Sequence, residues 1–534
     1  MVPELSSMIG SSILEGWSTW WLWWEWDGVT RHINMIRVIT TILVIVLCAI
    51  SWLMKKSTRS IPSLPPGLPL VGNLLSIEPE LHRYFAKLSE NYGPIMKLKL
   101  GTKLCIVISS PTLARHVLKD HDANFANRDP PAVALPFSFG GADILWKSYG
   151  HEWRKLRKVF VAELMSKKAL NACHTLRRQK VVEMMEEVHG KVGSPINIGE
   201  LTFLTALKVI MNMLWGASLP GENKSSNGVQ IRELVEEIVE LLGAPNISDF
   251  FPPLARFDLQ GLRTKMNKLM HSFDRIFESL IDNQMKAGMV CGEDGNEDNG
   301  NKDFLQFLLE LKQQGDEASL SLNQIKGLLM DIFVAATDTT STTLEWAMAE
   351  MLQQSEIMKK ASKELEEVVG NENIVEEFHL DKLHYLNAIV KETLRLHPPA
   401  PFLVPHSPSI TCTISGYTIP KGSRIILNVW KMQRDSEAWN NPLEFQPDRF
   451  QNDSENGYYH GKNFNFLPFG SGRRICAGMP LAEKLLPYLL ATLLHSFKWN
   501  LPEGTKLDLS DKFGLVLKKR KPLLAIPTAK SYKN

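Results

Sequence analysis

The sequence predicts a mainly α-helical fold with minor β structure, preceded by a single-pass transmembrane helix. Apolar residues recur at helical spacing over long stretches, whereas runs with strand character are short and few. One further stretch, 38–54, is uncharged and long enough to cross a membrane. The predicted helices include 233–242, 322–353, 357–369 and 479–495, and the predicted strands are 95–100, 105–108 and 424–429.

The apolar run 38–54 (VITTILVIVLCAISWLM) is predicted to anchor the protein in a membrane. As a helix it would rise roughly 25 Å, which approaches the hydrocarbon thickness of a thin bilayer of the endoplasmic-reticulum type. Lys55 and Lys56 follow it, where a cleaved secretory signal would carry small residues, so we interpret the run as a retained anchor. Basic residues lie on both sides of the run, so charge alone does not decide its orientation.

Three further regions surround the anchor. Residues 1–37 are rich in tryptophan, and we interpret these rings as anchors in lipid headgroups; the alternative is that they cover an apolar patch or remain disordered. Residues 55–69 are rich in proline and form a stiff hinge. Residues 70–534 contain no Pro/Gly/Ser linker that would divide them, so we predict one large catalytic domain. The clustered tryptophans are Trp17, Trp20, Trp21, Trp23, Trp24 and Trp26.

The composition excludes several classes of protein. The chain has 60 Lys+Arg against 58 Asp+Glu among 534 residues, so nucleic acid is not an expected partner. Its six cysteines are scattered and form no C-x-x-C pair, which argues against a zinc site or a disulfide framework. A reducing, cytosol-facing compartment fits this cysteine usage.

A glycine-rich turn at 469–478 (FGSGRRICAG) carries the most specific chemical signal. It places Cys476 directly before a predicted helix, whose N-terminal amides favour a thiolate. A thiolate that binds haem iron favours cleavage of the O–O bond of dioxygen. The alternative is an inert buried cysteine. However, an accidental match to F-x-x-G-x-R-x-C-x-G has a chance on the order of 10⁻⁴ in such a chain.

With this turn in place, the chain resembles the cytochrome P450 superfamily from residue 62 to its C-terminus. Glu392 and Arg395 match the family's E-x-x-R motif, and the segment 447–450 (PDRF) matches its downstream arginine segment. The resemblance implies the cytochrome P450 fold, haem b held by Cys476, and a monooxygenase that uses NADPH and dioxygen. It also implies a structural ion network of Glu392, Arg395 and Arg449.

The resemblance assigns further residues to the haem. Trp153 and Arg157 match W-x-x-x-R, in which one helical turn brings an indole and a guanidinium to the same haem propionate. Arg474 would supply a second cation, and Phe469 begins the haem-binding turn. His406 matches a segment near the propionates, although a surface histidine is the competing interpretation.

The helix predicted at 322–353 carries an Asp338–Thr339 step that its apolar surroundings do not explain. The family uses such an acid–alcohol pair to relay protons to dioxygen. The alternative is that the hydroxyls bond their own helix backbone. Ala336 stands where the family usually has glycine, so the local opening of the helix is in doubt.

The resemblance also indicates the substrate. The implied lining segments are largely apolar, which predicts a neutral lipophilic substrate. The chain is similar to plant microsomal members, in particular the group that includes cadinene-type sesquiterpene hydroxylases, so we expect a terpenoid. A flavonoid or an aldoxime is the alternative. The lining segments are 128–144 with Phe137 and Phe139, 331–339, 400–404 and 513–516.

The electrons are expected from a separate protein, because the chain has no G-x-G-x-x-G dinucleotide fingerprint. The resemblance implies NADPH-cytochrome P450 reductase, at an endoplasmic-reticulum membrane with the catalytic domain facing the cytosol. Two other classes are a haem-thiolate dehydratase or isomerase and a non-catalytic haem sensor. The residues predicted to dock the reductase, or else to form a solvated helix face, are Arg154, Lys155, Lys158 and Arg473.

Overall fold

The computed structural model describes residues 38–45, 67–216, 225–291, 303–314, 319–451 and 459–530. The chain separates into two compact units, 1–60 and 61–534. In the first unit, residues 38–45 are helical with exposed apolar side chains, as at Val38 and Ile45. The Trp-rich segment, residues 46–54 and most of the hinge lie outside the described residues, so the membrane anchor and the four predicted regions stay predictions.

Helices dominate the second unit, as predicted. The short helical segments are Pro111–Arg115, Asp122–Phe125, Ala134–Phe137, Lys167–Ala172, Ile247–Phe250 and Val429–Met432. A π-helical turn occurs at His116–Asp120. Short 3-10 helices occur at Leu74–Ser76, Pro252–Phe257, Glu377–Lys382, Pro447–Phe450 and Gly472–Arg474. The longer helices are α1 (Leu81–Tyr92), α2 (His151–Glu163), α3 (His174–His189), α4 (Ile198–Trp215), α5 (Ser225–Gly243), α6 (Leu262–Cys291), α7 (Phe304–Gln313), α8 (Leu322–Gln353), α9 (Ser355–Val369), α10 (His384–Leu396) and α11 (Met479–Ser496).

Local sequence signals set the ends of the helices. Ser321 and Gln324 form a reciprocal capping box at the start of α8, which satisfies amide groups that have no partner inside the helix. Asn197 caps the start of α4, and Gly216 ends that helix in the left-handed conformation. Asn428 caps the segment Val429–Met432, so the strand predicted at 424–429 ends at Leu427.

The β structure is confined to small sheets. The strands are β1 (Ile95–Leu100), β2 (Lys103–Ile108), β3 (Asn127–Arg128), β4 (Ile196–Asn197), β5 (His406–Ser407), β6 (Cys412–Ile414), β7 (Tyr417–Ile419), β8 (Arg424–Leu427), β9 (Phe497–Asn500), β10 (Asp511–Lys512), β11 (Lys518–Lys519) and β12 (Leu524–Ala529). The largest sheet has the order β1-β2-β8-β5-β3, and another has the order β4-β12-β9. β6 pairs with β7, and β10 with β11, in antiparallel hairpins.

α8 is the central element of the core. It packs against α4, α9, α10 and α11, and most of its side chains are buried. α4 is the one helix among the described residues that is long and apolar enough to span a membrane, but 83% of it is buried inside the protein. It therefore serves as a core helix beside α8.

Gly327 permits a close approach between α8 and the loop before α2. A Cβ atom at this position would lie 2.5 Å from the carbonyl oxygen of Ala142. We expect Gly327→Ala to destabilise the protein by about 1–3 kcal/mol, because the backbone of the loop would have to shift. Chemical denaturation measures this change. The matched control, Gly190→Ala, has a φ of −65° and only ordinary contacts, so it should be neutral. Equal effects of the two variants would contradict the packing argument.

Candidate active site

One interior cavity, with a volume of ≈ 310 Å³, brings most of the predicted site residues together. Its walls come from α2, α8, α11, the turn at 468–478 and the segment before β5. Asp338 and the predicted ion network of Glu392, Arg395 and Arg449 are not among the residues that line it. The predicted site residues that do line it are Trp153, Arg157, Thr339, His406, Phe469, Arg474 and Cys476.

The turn around Cys476 is built by its glycines and by one backbone hydrogen bond. Gly470 and Gly472 have φ angles of 72° and 69°, a region that side chains other than glycine rarely adopt. The amide of Cys476 donates to the carbonyl of Phe469 at 2.9 Å, which closes the loop. The Phe469 ring packs edge-on against Tyr459. The loop thereby directs the cysteine into the cavity.

The Cys476 side chain is exposed to the cavity rather than to the outer surface. Burial raises the pKa of its thiol, while hydrogen bonds from the amides of Gly478 and Met479 and the charge of Arg157 lower it. Those amides belong to the first turn of α11, where the helix dipole also favours an anion. Cys476 thus presents its sulfur to the cavity beside groups that favour a thiolate, the form of cysteine that binds metals.

Three guanidinium groups lie at the same end of the cavity, those of Arg128, Arg157 and Arg474. Arg474 donates to the carbonyls of Ala126 at 2.6 Å and Ile144 at 2.9 Å. Arg157 donates to the carbonyl of Ile475, next to the cysteine. Arg128 donates to carbonyls in the segment before β5, and its buried Nε atom has no hydrogen-bond partner.

Burial and mutual repulsion disfavour the charged forms of these three arginines. Burial lowers the pKa of Arg128 well below its usual value, and the charges of Arg474 and Arg157 lower it further. Burial also lowers the pKa of Arg474 to about 10. Since guanidinium groups stay protonated in proteins, an anion bound between the three arginines would stabilise the cluster. A cofactor with carboxylate groups fits this part of the cavity, and the thiol of Cys476 lies beside Arg157.

Arg128 is missing from the site residues that we predicted. In the sequence it stands only at the edge of the predicted substrate-lining segment 128–144. The structure places Arg128 in strand β3, paired with His406 of β5. Only this pairing between distant segments brings it to the cavity.

Trp153 and His406 also lie at the cation cluster. The indole Nε1 of Trp153 donates to the carbonyl of Ile144 at 3.0 Å, and Arg474 stacks over its ring at 4.4 Å. His406 is buried, with Nδ1 2.8 Å from the carbonyl oxygen of Phe125. Burial, followed by the charge of Arg128, holds the pKa of His406 well below its usual value. His406 is therefore a neutral ring inside the protein and not a surface histidine.

The predicted acid–alcohol pair is divided between two sides of α8. The Thr339 hydroxyl faces the cavity and donates to the carbonyl of Ala335 at 2.7 Å, so it bonds its own helix while its oxygen can still accept. Asp338 is 2% exposed and pairs with Lys518 of β11 at 2.6 Å. The helix runs unbroken through Ala336, whose side chain also lines the cavity.

Asp331 is a second residue of the cavity wall that is absent from the predicted site residues. Its Oδ2 accepts hydrogen bonds from the amides of Ile144 at 2.7 Å and Leu145 at 3.4 Å, which ties the loop before α2 to α8. Burial raises the pKa of Asp331 well above its usual value, and the nearby carboxyl of Asp143 adds to the rise. Burial and the neighbouring carboxyl therefore both disfavour a negative charge at this point of the cavity wall.

The aromatic residues expected in the substrate wall pack elsewhere. Phe139 packs against Phe277 of α6, and Phe137 is buried in the core. Phe513 stacks on His82 and contacts Phe402. The apolar lining instead comes from Ile144, Leu145, Phe160, Met165, Ile332, Ala335, Leu394, Leu403, Val404, Leu481, Leu485 and Leu486.

Glu392, Arg395 and Arg449 are in direct contact. Arg395 donates to both carboxylate oxygens of Glu392, at 2.7 and 2.8 Å, and both side chains are fully buried. Arg449 donates to the same carboxylate at 3.0 Å. Arg395 also bonds the carbonyl of Gln433 at 2.8 Å, which joins α10 to the segment that leads to the cysteine turn.

A model of the cytochrome P450 family matches residues 62–526. The chain belongs to the cytochrome P450 family. A zebrafish cytochrome P450 solved with progesterone superposes with a TM-score of 0.72, 24% identity and coverage of 84% of this chain and 99% of that chain. The predicted fold, mainly α with minor β, is thereby confirmed as the cytochrome P450 fold.

The relatives by sequence are plant cytochromes P450. Carnosic acid synthase of Salvia pomifera is 39% identical over 480 residues, covering 88% of this chain and 94% of that protein. Geraniol 8-hydroxylase of Catharanthus roseus is 37% identical over 485 residues, with 90% and 96% covered. Flavonoid 3'-monooxygenase of Arabidopsis thaliana is 36% identical over 500 residues, with 92% and 96% covered.

Membership of the family identifies the enzyme class and the cofactor. Cytochromes P450 are haem-thiolate monooxygenases that take electrons from a redox partner and act on small molecules with dioxygen. The predicted monooxygenase activity and haem are therefore confirmed, and the dehydratase, isomerase and sensor alternatives are set aside. The thiol of Cys476, the apolar walls and the three arginines fit an apolar ring system with two carboxylates.

The buried pair of Glu392 and Arg395 generates a prediction about stability. We expect Glu392→Gln to destabilise the protein by about 3–5 kcal/mol, because two arginines lose their buried counter-charge. Thermal denaturation and the yield of folded haem protein measure the change. Glu187→Gln is the control, because Glu187 pairs with Lys191 at the exposed surface of the chain. A Glu392→Gln protein as stable as Glu187→Gln would refute the argument.

Proposed function

We propose that this cytochrome P450 hydroxylates a small, neutral terpenoid, and that a sesquiterpenoid is its substrate. The observation that carries the proposal is that Cys476 and Thr339 line one largely apolar cavity, and that Asp331, the one acidic side chain among its described lining residues, has a pKa raised by burial. Such walls favour a neutral lipophilic molecule and disfavour a charged one. Relatives named for geraniol and carnosic acid support a terpenoid, and the resemblance to cadinene-type hydroxylases predicts the sesquiterpenoid.

Each residue of the cavity has a proposed role. Cys476 would hold the haem iron through its thiolate, which the hydrogen bonds from the amides of Gly478 and Met479 favour. When bound, the haem supplies the oxidising chemistry that inserts one oxygen atom of dioxygen into a C–H bond. The groups that bind the haem carboxylates are those of Trp153, Arg157, Arg474, His406 and Arg128, and Phe469 shapes the turn.

Thr339 and Asp338 are the proposed catalytic residues of the protein chain. The Thr339 hydroxyl donates to the carbonyl of Ala335, so its oxygen presents a lone pair to the cavity. It can accept a hydrogen bond from a water molecule and hold that water in the cavity, where the water can deliver a proton. Asp338, on another face of α8, is the proposed source of that proton.

The proposed electron donor is NADPH-cytochrome P450 reductase. Arg154 and Lys158 are exposed on α2, near the cysteine turn, and offer a basic docking surface. Lys155 is instead bonded to the carbonyl of Ser319, and Arg473 is paired with Asp122 at 2.6 Å. The proposed location is the endoplasmic-reticulum membrane, anchored by 38–54, with the catalytic domain in the cytosol.

A panel of substrates tests the proposal on microsomes that contain the full chain and the reductase. We expect δ-cadinene and geraniol to displace the water on ferric haem, seen as a shift of the Soret band, and to gain one oxygen atom only with NADPH. Naringenin and phenylacetaldoxime should give neither result. Turnover of naringenin alone would favour the flavonoid alternative and would reject the terpenoid proposal.

Arg128 offers a test of the haem site that does not depend on the substrate. We expect Arg128→Met to lose haem to apomyoglobin roughly tenfold faster than wild type, because one cation of the carboxylate site is gone. Arg424→Met is the matched control, since Arg424 is a buried arginine that pairs with Asp129 and does not line the cavity. Equal rates of haem loss in Arg128→Met and wild type would contradict the role of Arg128.

A further inference from the structure

Asp338 reaches the protein surface through one partner, Lys518. Its Oδ1 accepts a hydrogen bond from the ammonium of Lys518 at 2.6 Å, and the two side chains are 3% and 26% exposed. The other carboxylate oxygen, Oδ2, is buried and has no hydrogen-bond partner. Lys518 therefore lies between the buried carboxyl and bulk water.

The helix geometry separates this ion pair from the cavity. Consecutive residues of an α-helix point about 100° apart, so Asp338 and Thr339 cannot face the same element. Thr339 lines the cavity, while Asp338 faces β11 and α5. The adjacent residues Asp338 and Thr339 of α8 thus link Lys518, near the surface, to the cavity.

The other charged groups around Asp338 nearly balance one another. On α5, Glu236 and Arg232 both act on Asp338, and they are paired with each other at 3.0 Å. Along α8, the carboxyl of Glu345 accepts from the amide of Leu523. Lys518 is thus the cation that contacts Asp338 directly, and the local charge on Asp338 depends on it.

We propose that Lys518 is a positioning residue for proton delivery, which orients Asp338 and sets the pH at which its carboxyl takes up a proton. The proposal rests on the proposed role of Asp338 and extends it to a named partner. Because Lys518 occupies Oδ1, the free oxygen Oδ2 takes a proton from water. The acid then gives a proton toward Thr339 and returns to the carboxylate paired with Lys518. One proton moves from solvent to the cavity, and no electron is transferred.

The test titrates Asp338 directly in the full-length, haem-loaded protein. Infrared difference spectra across pH contain the carbonyl bands of protonated carboxyl groups, and the band that Asp338→Asn removes identifies Asp338. In Lys518→Met we expect the midpoint of this band to rise by about one pH unit or more, because a buried carboxyl that loses its cation holds a proton more tightly. Lys518→Arg keeps the cation and should restore the wild-type midpoint.

The chain offers a matched control on the neighbouring strand. Lys512 of β10 lies directly opposite Lys518 in the hairpin, but it pairs with the exposed Glu240 at 2.6 Å. Lys512→Met should therefore leave the Asp338 midpoint unchanged. Lys518→Met should also form several-fold less product per NADPH consumed, with the substrate that the panel identifies, whereas Lys512→Met should not.

Two results would overturn the inference. One is an Asp338 midpoint in Lys518→Met equal to that of wild type. The other is a loss of product per NADPH in Lys518→Met that is just as large in the Asp338→Asn background, because Lys518 would then act without Asp338. Wild-type coupling in Asp338→Asn alone would instead reject the proton relay itself, so the two failures are distinguishable.

Discussion

The burial of α8 in the core, away from water, is the constraint on which the rest of the structure depends. A buried polar group destabilises the fold unless a partner satisfies it. α8 carries several polar side chains through the core, and five of them each have at least one partner on a different surrounding element. This requirement fixes α8 against its neighbours and thereby forms the cavity wall. The pairs are Lys326 with Asp274 and Glu278, Asp331 with the amides of Ile144 and Leu145, Asp338 with Lys518, Glu345 with the amide of Leu523, and Glu350 with His397.

The same electrostatic logic explains the polar part of the cavity. Burial disfavours the charge of its arginines, while amides at the start of α11 favour a negative sulfur at Cys476. A haem with carboxylates and a metal would offset both costs of burial. The pair of Glu392 and Arg395 has no contact with the cavity, but it holds α10 to the segment that precedes the cysteine turn. Contacts outside the cavity therefore help to position Cys476, in addition to the contacts inside it.

Much of the fold was predictable, and the errors have physical reasons. The helix predicted at 322–353 is observed with the same bounds, because its capping residues and its apolar length are both local signals. The strand predicted at 424–429 was two residues too long, since the Asn428 cap outweighed the β-branched Val429. Arg128 and Asp331 were missed because a single charged residue carries no periodic signal. The phenylalanines expected in the substrate wall, such as Phe139, are apolar enough for either the wall or the core, and packing assigned them to the core.

The sequence by itself determined the cysteine turn, the E-x-x-R pair, the acid–alcohol pair and the dominance of helices, because each of these features depends on residues that are close together along the chain. Only the tertiary structure decided what surrounds them. It brought Arg128 to the cations of the cavity and Lys518 to the carboxyl of Asp338, and it buried Asp331 in the wall, which raises the pKa of that carboxyl. Burial and charge act through space, so contacts between segments far apart in the sequence appear only once the chain has folded.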